Sequence, residues 1–276
     1  MRADLHIHTY YSDGALSPAE VVAEANKNGV ELIAVTDHDC MPACKELPAL
    51  CSAAGINFVN GLEVSAYLGG VKIHTLGYNV NVENPDFKNF LKELRLGSYK
   101  RGEDIINKLN KNGVKITLEE VTSRLKSPLS PVHTMHFAFA CAAKGYCGGN
   151  PFEFFKNYLA WGKCGFSDIC RPSPFEAVEI ISAAGGFSSL AHPARIDMPQ
   201  SDLIKLIENM KACGLGGIEA VYTTHTVTET AYYKETAKTF SLEVTGGSDV
   251  HRIGGSREIG QPVFRAEGVL AKKLGF

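Results

Sequence analysis

Residues 17–39 read SPAEVVAEANKNGVELIAVTDHD and contain one copy of the helix–strand unit from which the fold of this chain is predicted. The serine, proline and glutamate at the start have the spacing of an N-cap, a first helical residue and a capping-box partner, so residues 18–28 are predicted to be helical. Gly29 is typical of the residue that ends such a helix. Residues 31–36 are apolar enough for a buried strand, and three polar residues follow that strand directly.

The same alternation of strand and helix covers both ends of the chain. Strands are predicted over residues 3–7, 31–36, 56–63, 71–78, 187–191, 217–222 and 242–245, and helices over 18–28, 42–54, 174–184, 201–213 and 228–240. Gly69 and Gly70 form a tight turn between two of the strands, which are therefore expected to pair as a hairpin. Strands alternating with helices predict an α/β fold in which a parallel sheet closes or curls into a barrel.

The middle of the chain departs from this alternation. Helices are predicted over residues 86–112, 118–126, 133–144 and 151–161, with few strand signals between them. We therefore expect residues 1–85 and 171–276 to form the barrel domain. Residues 86–170 are expected to form an inserted helical subdomain that covers the active site.

Composition excludes several classes of protein. With 276 residues, 45% hydrophobic residues and a formal charge of −2, the chain is neither disordered nor collagen-like, and it is not an obligate nucleic-acid coat. No apolar run approaches the roughly 20 residues of a membrane span, and the N-terminus lacks the apolar core of a signal peptide. We expect a cytoplasmic protein without a membrane partner. The eight cysteines contain no C-x-x-C pair, which excludes zinc-ribbon spacing.

Side chains that can bind metals are concentrated at the ends of the predicted strands or within them. They are His6, His8, Asp13, His38, Glu63, His74, His192, Asp249 and His251. The C-terminal strand ends of a parallel barrel converge on one face, where active sites are built. Imidazole and carboxylate groups suit first-row divalent metals, and nine candidates exceed the needs of one tetrahedral site. We predict two or three ions with Glu63 as the bridge. Taken singly, each residue could instead be structural, as an aspartate in a turn often is.

Seven short segments together resemble the motifs of one family. They are Asp4-Leu5-His6-Ile7-His8-Thr9, Ser12-Asp13-Gly14, Thr36-Asp37-His38-Asp39, Gly61-Leu62-Glu63-Val64-Ser65, His74-Thr75-Leu76-Gly77-Tyr78, Leu190-Ala191-His192-Pro193 and Gly247-Ser248-Asp249-Val250-His251. Their order and spacing are similar to those of the PHP (polymerase and histidinol phosphatase) family from residue 1 to about 260. The helical insert most resembles the TrpH-like branch, whose members are metal-dependent phosphoesterases acting on nucleotides and short RNA.

The resemblance implies a fold, a metal centre and a reaction. The implied fold is a distorted (β/α)7 barrel with a trinuclear centre that takes Mn, Fe, Zn or Mg. The resemblance assigns one ion to His6, His8, Glu63 and Asp249, a second to Glu63, His74 and His192, and a third to Asp13, His38 and His251. The implied activity is hydrolysis of small phosphomonoesters by metal-activated hydroxide. The expected substrate is a nucleoside phosphate such as AMP or a 3′,5′-bisphosphonucleotide.

The resemblance is weaker on the substrate side. Three residues are predicted to contact substrate: Arg195, His225 and His136. Thr134 and Phe139 occupy positions where the branch has arginines, so two bidentate phosphate donors are missing. His225 and Asp249 are the candidates for a catalytic role, by location.

Alternatives remain open. The same chemistry would suit a 5′-3′ exoribonuclease acting on short RNA or a histidinol-phosphate phosphatase. A non-catalytic metal-binding module is the alternative from another class, and its signature would be a missing ligand. Eight basic residues between positions 88 and 115 could track an RNA backbone, but interleaved acidic residues favour a solvated helix face.

Overall fold

Eight strands form one sheet in the computed structural model, which describes residues 1–276. The strands are β1 (Arg2–Ile7), β2 (Leu32–Val35), β3 (Asn57–Leu68), β4 (Val71–Tyr78), β5 (Phe187–Leu190), β6 (Gly217–Tyr222), β7 (Glu243–Gly247) and β8 (Phe264–Arg265). Their order in the sheet is β7-β6-β5-β4-β3-β2-β1-β8. The Asp249 amide donates to the His6 carbonyl at 2.7 Å, so the segment after β7 returns to β1. The sheet is thereby curled into a nearly closed barrel, which confirms the predicted fold class.

The sheet is mixed, although a parallel sheet is predicted. β4 runs antiparallel to both β3 and β5, and β8 runs antiparallel to β1. The expected hairpin is present, and its turn requires glycine at Gly70, where φ is +82° and a Cβ would lie 2.1 Å from the Trp161 ring. The two residues of β8 are too few to show a period-two pattern, which is why this strand was not predicted.

Ten helices accompany the sheet. They are α1 (Pro18–Lys27), α2 (Leu47–Ala54), α3 (Pro85–Lys111), α4 (Leu118–Thr122), α5 (Thr134–Ala143), α6 (Pro151–Phe154), α7 (Pro174–Ala183), α8 (Gln200–Ala212), α9 (Val227–Thr239) and α10 (Gly268–Lys273). None of these helices combines the length and the apolar character needed to cross a membrane.

Local sequence explains most helix boundaries. Ser17 and Ser173 each cap a helix in a complete capping box, as predicted for Ser17. The helix predicted over residues 42–54 is instead a 3₁₀ turn at Pro42–Lys45 followed by α2. Pro48 explains the break, because it lacks the amide that would donate to residue 44 and its ring clashes with that carbonyl.

Apolar clusters join the helices to the sheet. Val21 of α1 and Leu47 of α2 are fully buried in one cluster with Ile33 of β2, and burying such a side chain contributes about 1.5–3 kcal/mol. The segment between β4 and β5 has a separate cluster that includes Leu109 and Phe137. A core of its own supports the predicted division into a barrel and an insert at residues 86–170, which stays a prediction.

Candidate metal centre

The Glu63 carboxylate lies at the centre of the predicted ligand residues. Its Oε2 atom is 3.3 Å from His6 Nε2, 3.2 Å from His8 Nε2 and 3.2 Å from His38 Nδ1. Its Oε1 atom is 2.6 Å from His74 Nδ1 and 3.0 Å from His192 Nε2. The backbone explains this convergence: alternate residues of β1 share one face, and residue 38 forms a bridge with residue 63.

Eight of the nine predicted ligand residues, all except His192, fall into three overlapping groups around this carboxylate. Within each group, one candidate ligand atom per residue lies within 4.8 Å of the others: His6, His8, Glu63 and Asp249; His8, Asp13, His38 and His251; His38, Glu63 and His74. The first group equals the set that the resemblance assigns to one ion. The second group adds His8 to the expected trio of Asp13, His38 and His251. The third group adds His38 to Glu63 and His74, and the expected third residue of that set, His192, lies 3.0 Å from Glu63 Oε1. The assignment of ligands to individual ions stays a prediction.

Two buried atoms show that these residues suit a cation. Asp13 Oδ1 and His74 Nε2 are buried and have no hydrogen-bond partner. Asp13 Oδ1 faces imidazole nitrogens instead, with His251 Nε2 at 3.2 Å and His8 Nδ1 at 3.8 Å. A buried polar atom without a partner is costly in a folded protein. A divalent ion bound to imidazole and carboxylate would satisfy such atoms, so the donor set fits the metals that the sequence predicts.

Burial and charge act in opposite directions on the groups of this cluster. Burial alone would raise the pKa of Glu63, but the neighbouring imidazoles of His74, His38 and His6 hold that pKa well below its usual range. Burial lowers the pKa of His74 to about 3. For His8, the burial effect is outweighed by contacts with Asp249 and Glu63, which raise its pKa to about 10. The cluster therefore contains both a neutral imidazole, which is the metal-binding form, and one that holds a proton until a cation replaces it.

Three residues at strand ends adopt backbone conformations that side chains normally avoid. Asp39, His192 and Asp249 have φ values of +56°, +29° and +53°. Such conformations cost about 1–3 kcal/mol each and persist where the surrounding structure enforces them. The three residues lie just beyond the ends of β2, β5 and β7, which concentrates this strain at the face where the ligand side chains meet.

A buried glutamate that was not predicted supports two of the histidines. Glu219 Oε1 accepts from His6 Nδ1 at 2.8 Å, and its Oε2 accepts from the His192 amide at 2.8 Å. A carboxylate on the far nitrogen fixes the orientation and tautomer of a ligand imidazole. The sequence signal that could have identified Glu219 was a single carboxylate within the otherwise uncharged strand β6. The carboxylate of Asp4, on β1, accepts from the Ser248 and Gly260 amides.

Two arginines and a tyrosine border the cluster. The Tyr222 hydroxyl donates to Asp249 Oδ2 at 2.6 Å and accepts from Arg195 Nη1 at 2.7 Å and from Arg257 Nη2 at 2.9 Å. Arg257 also contacts Asp249 directly. The Arg195 side chain is half exposed, so it remains accessible to an anion. Arg257 and Tyr222 were not predicted, because a contact between residues far apart in the sequence leaves no local sequence pattern.

The other two residues predicted to contact substrate, His225 and His136, do not contact Glu63 and bond to backbone carbonyl groups. The His225 ring lies beside that of Tyr222, with centroids 5.1 Å apart and planes tilted by 59°, and its Nδ1 donates to the Ala220 carbonyl. His136 uses both ring nitrogens: Nδ1 accepts from the His133 amide, and Nε2 donates to the Ser12 carbonyl at 2.9 Å. Their roles toward substrate stay predictions. The structure also brings in His133, which was not predicted and whose Nδ1 lies 3.1 Å from Asp13 Oδ2.

Comparisons with known proteins agree with this geometry. A family model described as PHP domain matches residues 4–128. The 3′,5′-nucleoside bisphosphate phosphatase of Chromobacterium violaceum is 32% identical over 93% of this chain and 90% of its own length. A 5′-3′ exoribonuclease of Haemophilus influenzae is 30% identical over 97% of this chain and 96% of its own length.

Solved structures extend the likeness to the fold. A structure described as an amidohydrolase from Chromobacterium violaceum has a TM-score of 0.86, with 31% identity, and covers 95% of this chain and 90% of that one. One from Bifidobacterium adolescentis, assigned as a metal-dependent phosphoesterase, has a TM-score of 0.85 and 25% identity, covering 95% and 91% of the two chains. The chain therefore belongs to the PHP family and is a metal-dependent phosphoric ester hydrolase.

Proposed function

We propose that this enzyme hydrolyses small phosphomonoesters, with nucleoside phosphates such as AMP and 3′,5′-bisphosphonucleotides as its substrates. The observation that carries the proposal is the placing of Glu63 among five imidazoles, next to a rim where Arg195 is accessible. A phosphate dianion needs cationic contacts on several oxygens; Arg195 offers one, and divalent ions held by the residues around Glu63 would offer others. The name of the Chromobacterium violaceum relative supports a nucleotide substrate.

We further infer that two to three divalent ions, drawn from Mn, Fe, Zn and Mg, bind here. The residues that would hold them are His6, His8, Asp13, His38, Glu63, His74, His192, Asp249 and His251. Bound divalent ions lower the pKa of water and neutralise charge on phosphoryl oxygens. Glu219 would keep His6 in the tautomer whose Nε2 is free to bind a cation, since its carboxylate takes the Nδ1 proton.

The chain's own residues would bind and orient the substrate. Arg195 is placed to donate to a phosphate oxygen, and Tyr222 holds its guanidinium beside Asp249. Burial alone would raise the pKa of Asp249, but His6 and His251 hold it well below its usual range, so this carboxylate accepts protons rather than donating them. His225 donates from Nδ1 to a carbonyl, which leaves Nε2 as an acceptor in the neutral ring. Neither predicted catalytic residue thus holds a spare proton at neutral pH.

The alternative of an exoribonuclease is supported by the name of a relative but not by the long helix α3. Of the basic residues proposed as an RNA track, Arg101 is buried, Lys108 contacts Asp104 at 2.6 Å, and Lys88 is paired with Glu83. An RNA backbone needs a continuous run of free cations, so the shorter substrate is favoured.

A substrate panel tests the proposal. The purified enzyme, reconstituted with Mn²⁺, is assayed for phosphate release from AMP, adenosine 3′,5′-bisphosphate, histidinol phosphate and a 5′-phosphorylated oligoribonucleotide. The Glu63→Gln variant is the inactive control, and Lys205→Gln, a change at an exposed residue of α8, is the matched control. Turnover of the nucleotides supports the proposal. Turnover of the oligomer alone, with release of mononucleotides, would replace it by the exoribonuclease.

A further inference from the structure

Two histidines at the start of α5 contact the loop that carries Asp13. His136 Nε2 donates to the Ser12 carbonyl at 2.9 Å, and His133 Nδ1 lies 3.1 Å from Asp13 Oδ2. The His133 ring also stacks on His38, with centroids 4.5 Å apart and planes 6° from parallel. His133 is buried, so these contacts are made within the protein rather than at its surface.

The two oxygens of Asp13 face different surroundings. Oδ1 is buried without a hydrogen bond and lies 3.2 Å from His251 Nε2 and 4.0 Å from His38 Nε2. Oδ2 faces His133 alone among the ionisable groups. An ionised carboxylate only accepts hydrogen bonds, so a hydrogen bond between these two atoms requires the ring proton of His133 on Nδ1. The Met135 amide donates to the same nitrogen at 3.4 Å in this structure, and a hydrogen bond from Nδ1 to Asp13 would replace that contact.

We propose that His133 is a positioning residue for the metal centre, which holds Asp13 by an Nδ1–H···Oδ2 hydrogen bond so that Oδ1 faces the cation. The inference rests on the proposed assignment of Asp13, His38 and His251 to one ion. It makes the helical segment between β4 and β5 part of that metal position, although none of the nine predicted ligands comes from this segment. A cation at Asp13 and the docking of α5 would then stabilise each other, as linkage requires.

Four variants of the full-length protein separate the hydrogen bond from the stacking. His133→Asn keeps a donor near the Nδ1 position, whereas His133→Gln carries its amide farther out, near the Nε2 position. His133→Phe keeps a ring over His38 but has no donor. Lys144→Gln is the matched control, because Lys144 lies at the other end of α5 and contacts Glu120 at 2.6 Å. Thermal unfolding of the metal-free proteins checks that each variant folds. If His133→Phe does not fold, the comparison of His133→Asn with His133→Gln tests the hydrogen bond without it.

The measurement is Mn²⁺ stoichiometry and affinity by equilibrium dialysis, with Asp13→Asn as the reference for loss of this position. We expect His133→Phe and His133→Gln to weaken the weakest-bound ion by about 10–100-fold. His133→Asn is expected to retain most of the affinity, and Lys144→Gln all of it. Unchanged binding in the Phe and Gln variants, or equal loss in Asn and Gln, would overturn the inference. If Asp13→Asn itself loses no ion, the metal assignment falls together with the inference, and phosphate release from the substrate panel is judged separately.

Discussion

Replacing Glu219 by glutamine tests the electrostatic organisation of the centre, because the two side chains have the same shape. Both oxygens of Glu219 accept from a donor at 2.8 Å, one from His6 Nδ1 and one from the His192 amide. A glutamine has one oxygen and one NH₂ group, so at one of these two contacts a donor would face another donor. If the NH₂ group faces the His192 amide, a buried backbone donor loses its partner. If it faces His6, the ring must move its proton to Nε2, the atom that points at Glu63.

The magnitude follows from the same contacts. A buried donor left without a partner costs about 1–3 kcal/mol, which is the expected loss in the free energy of unfolding. A ligand histidine that loses its supporting carboxylate typically binds metal about 10–100-fold more weakly. We expect the Glu219→Gln variant to show both effects, with hydrolysis recovered in part at high Mn²⁺ concentration.

Urea unfolding of the metal-free protein and Mn²⁺ titration of the folded protein measure the two effects separately. Glu235→Gln is the matched control, since Glu235 lies on the exposed side of α9 with only a distant lysine partner. A Glu219→Gln variant with the stability and Mn²⁺ affinity of the unmodified protein would refute this account of His6.

Further predictions concern the central carboxylate, the rim and pH. Glu63→Gln should lower kcat by about 10²–10³ or more and reduce the metal content measured by elemental analysis, because Glu63 contacts five imidazoles. Arg195→Gln should raise KM for AMP about tenfold, because the loss of one charged hydrogen bond weakens binding by about that factor. The amount of bound metal should not change. Contacts with Asp249 and Glu63 raise the pKa of His8 to about 10, above its unfolded value near 6.5, so its stabilisation is present below about pH 6.5 and lost as the pH rises toward 10. Urea unfolding of metal-free protein should show this decline, and unfolding of Mn²⁺-loaded protein should not.

The strands and their polar ends could be predicted because they rest on local patterns. Period-two alternation placed His6 and His8 on one face of β1, and apolar runs ending in polar residues located His38, His192 and Asp249. A barrel then brings strand ends together, whatever the details of packing. The reversed direction of β4 beside β5 was not predictable in this way, because the helical segment between them hides the direction in which the chain returns.

The supporting residues could not be predicted, because their partners are distant in sequence. Tyr222 contacts Asp249 from the end of β6 and Arg257 from the loop between β7 and β8, and His133 reaches Asp13 across 120 positions of the chain. His133 also occupies an N-cap position, where a polar side chain has an ordinary structural explanation. The 3.1 Å contact with Asp13 and the stacked contact with His38 distinguish a role at the metal centre from capping alone.

The charge balance of the centre indicates that it binds cations and that it contributes little to the stability of the fold. Burial alone would raise the pKa values of Asp13, Glu63 and Asp249, yet imidazole charges hold all three well below the usual range. Without metal, that compensation depends on protons held by residues such as His8. Buried ion clusters of this kind contribute little net stability, and apolar side chains of similar volume often serve a fold better. A divalent ion replaces those protons with charge that the carboxylates already require, and it binds the imidazoles in their neutral form. This charge balance therefore favours a role for the arrangement in binding cations over a role in stabilising the fold.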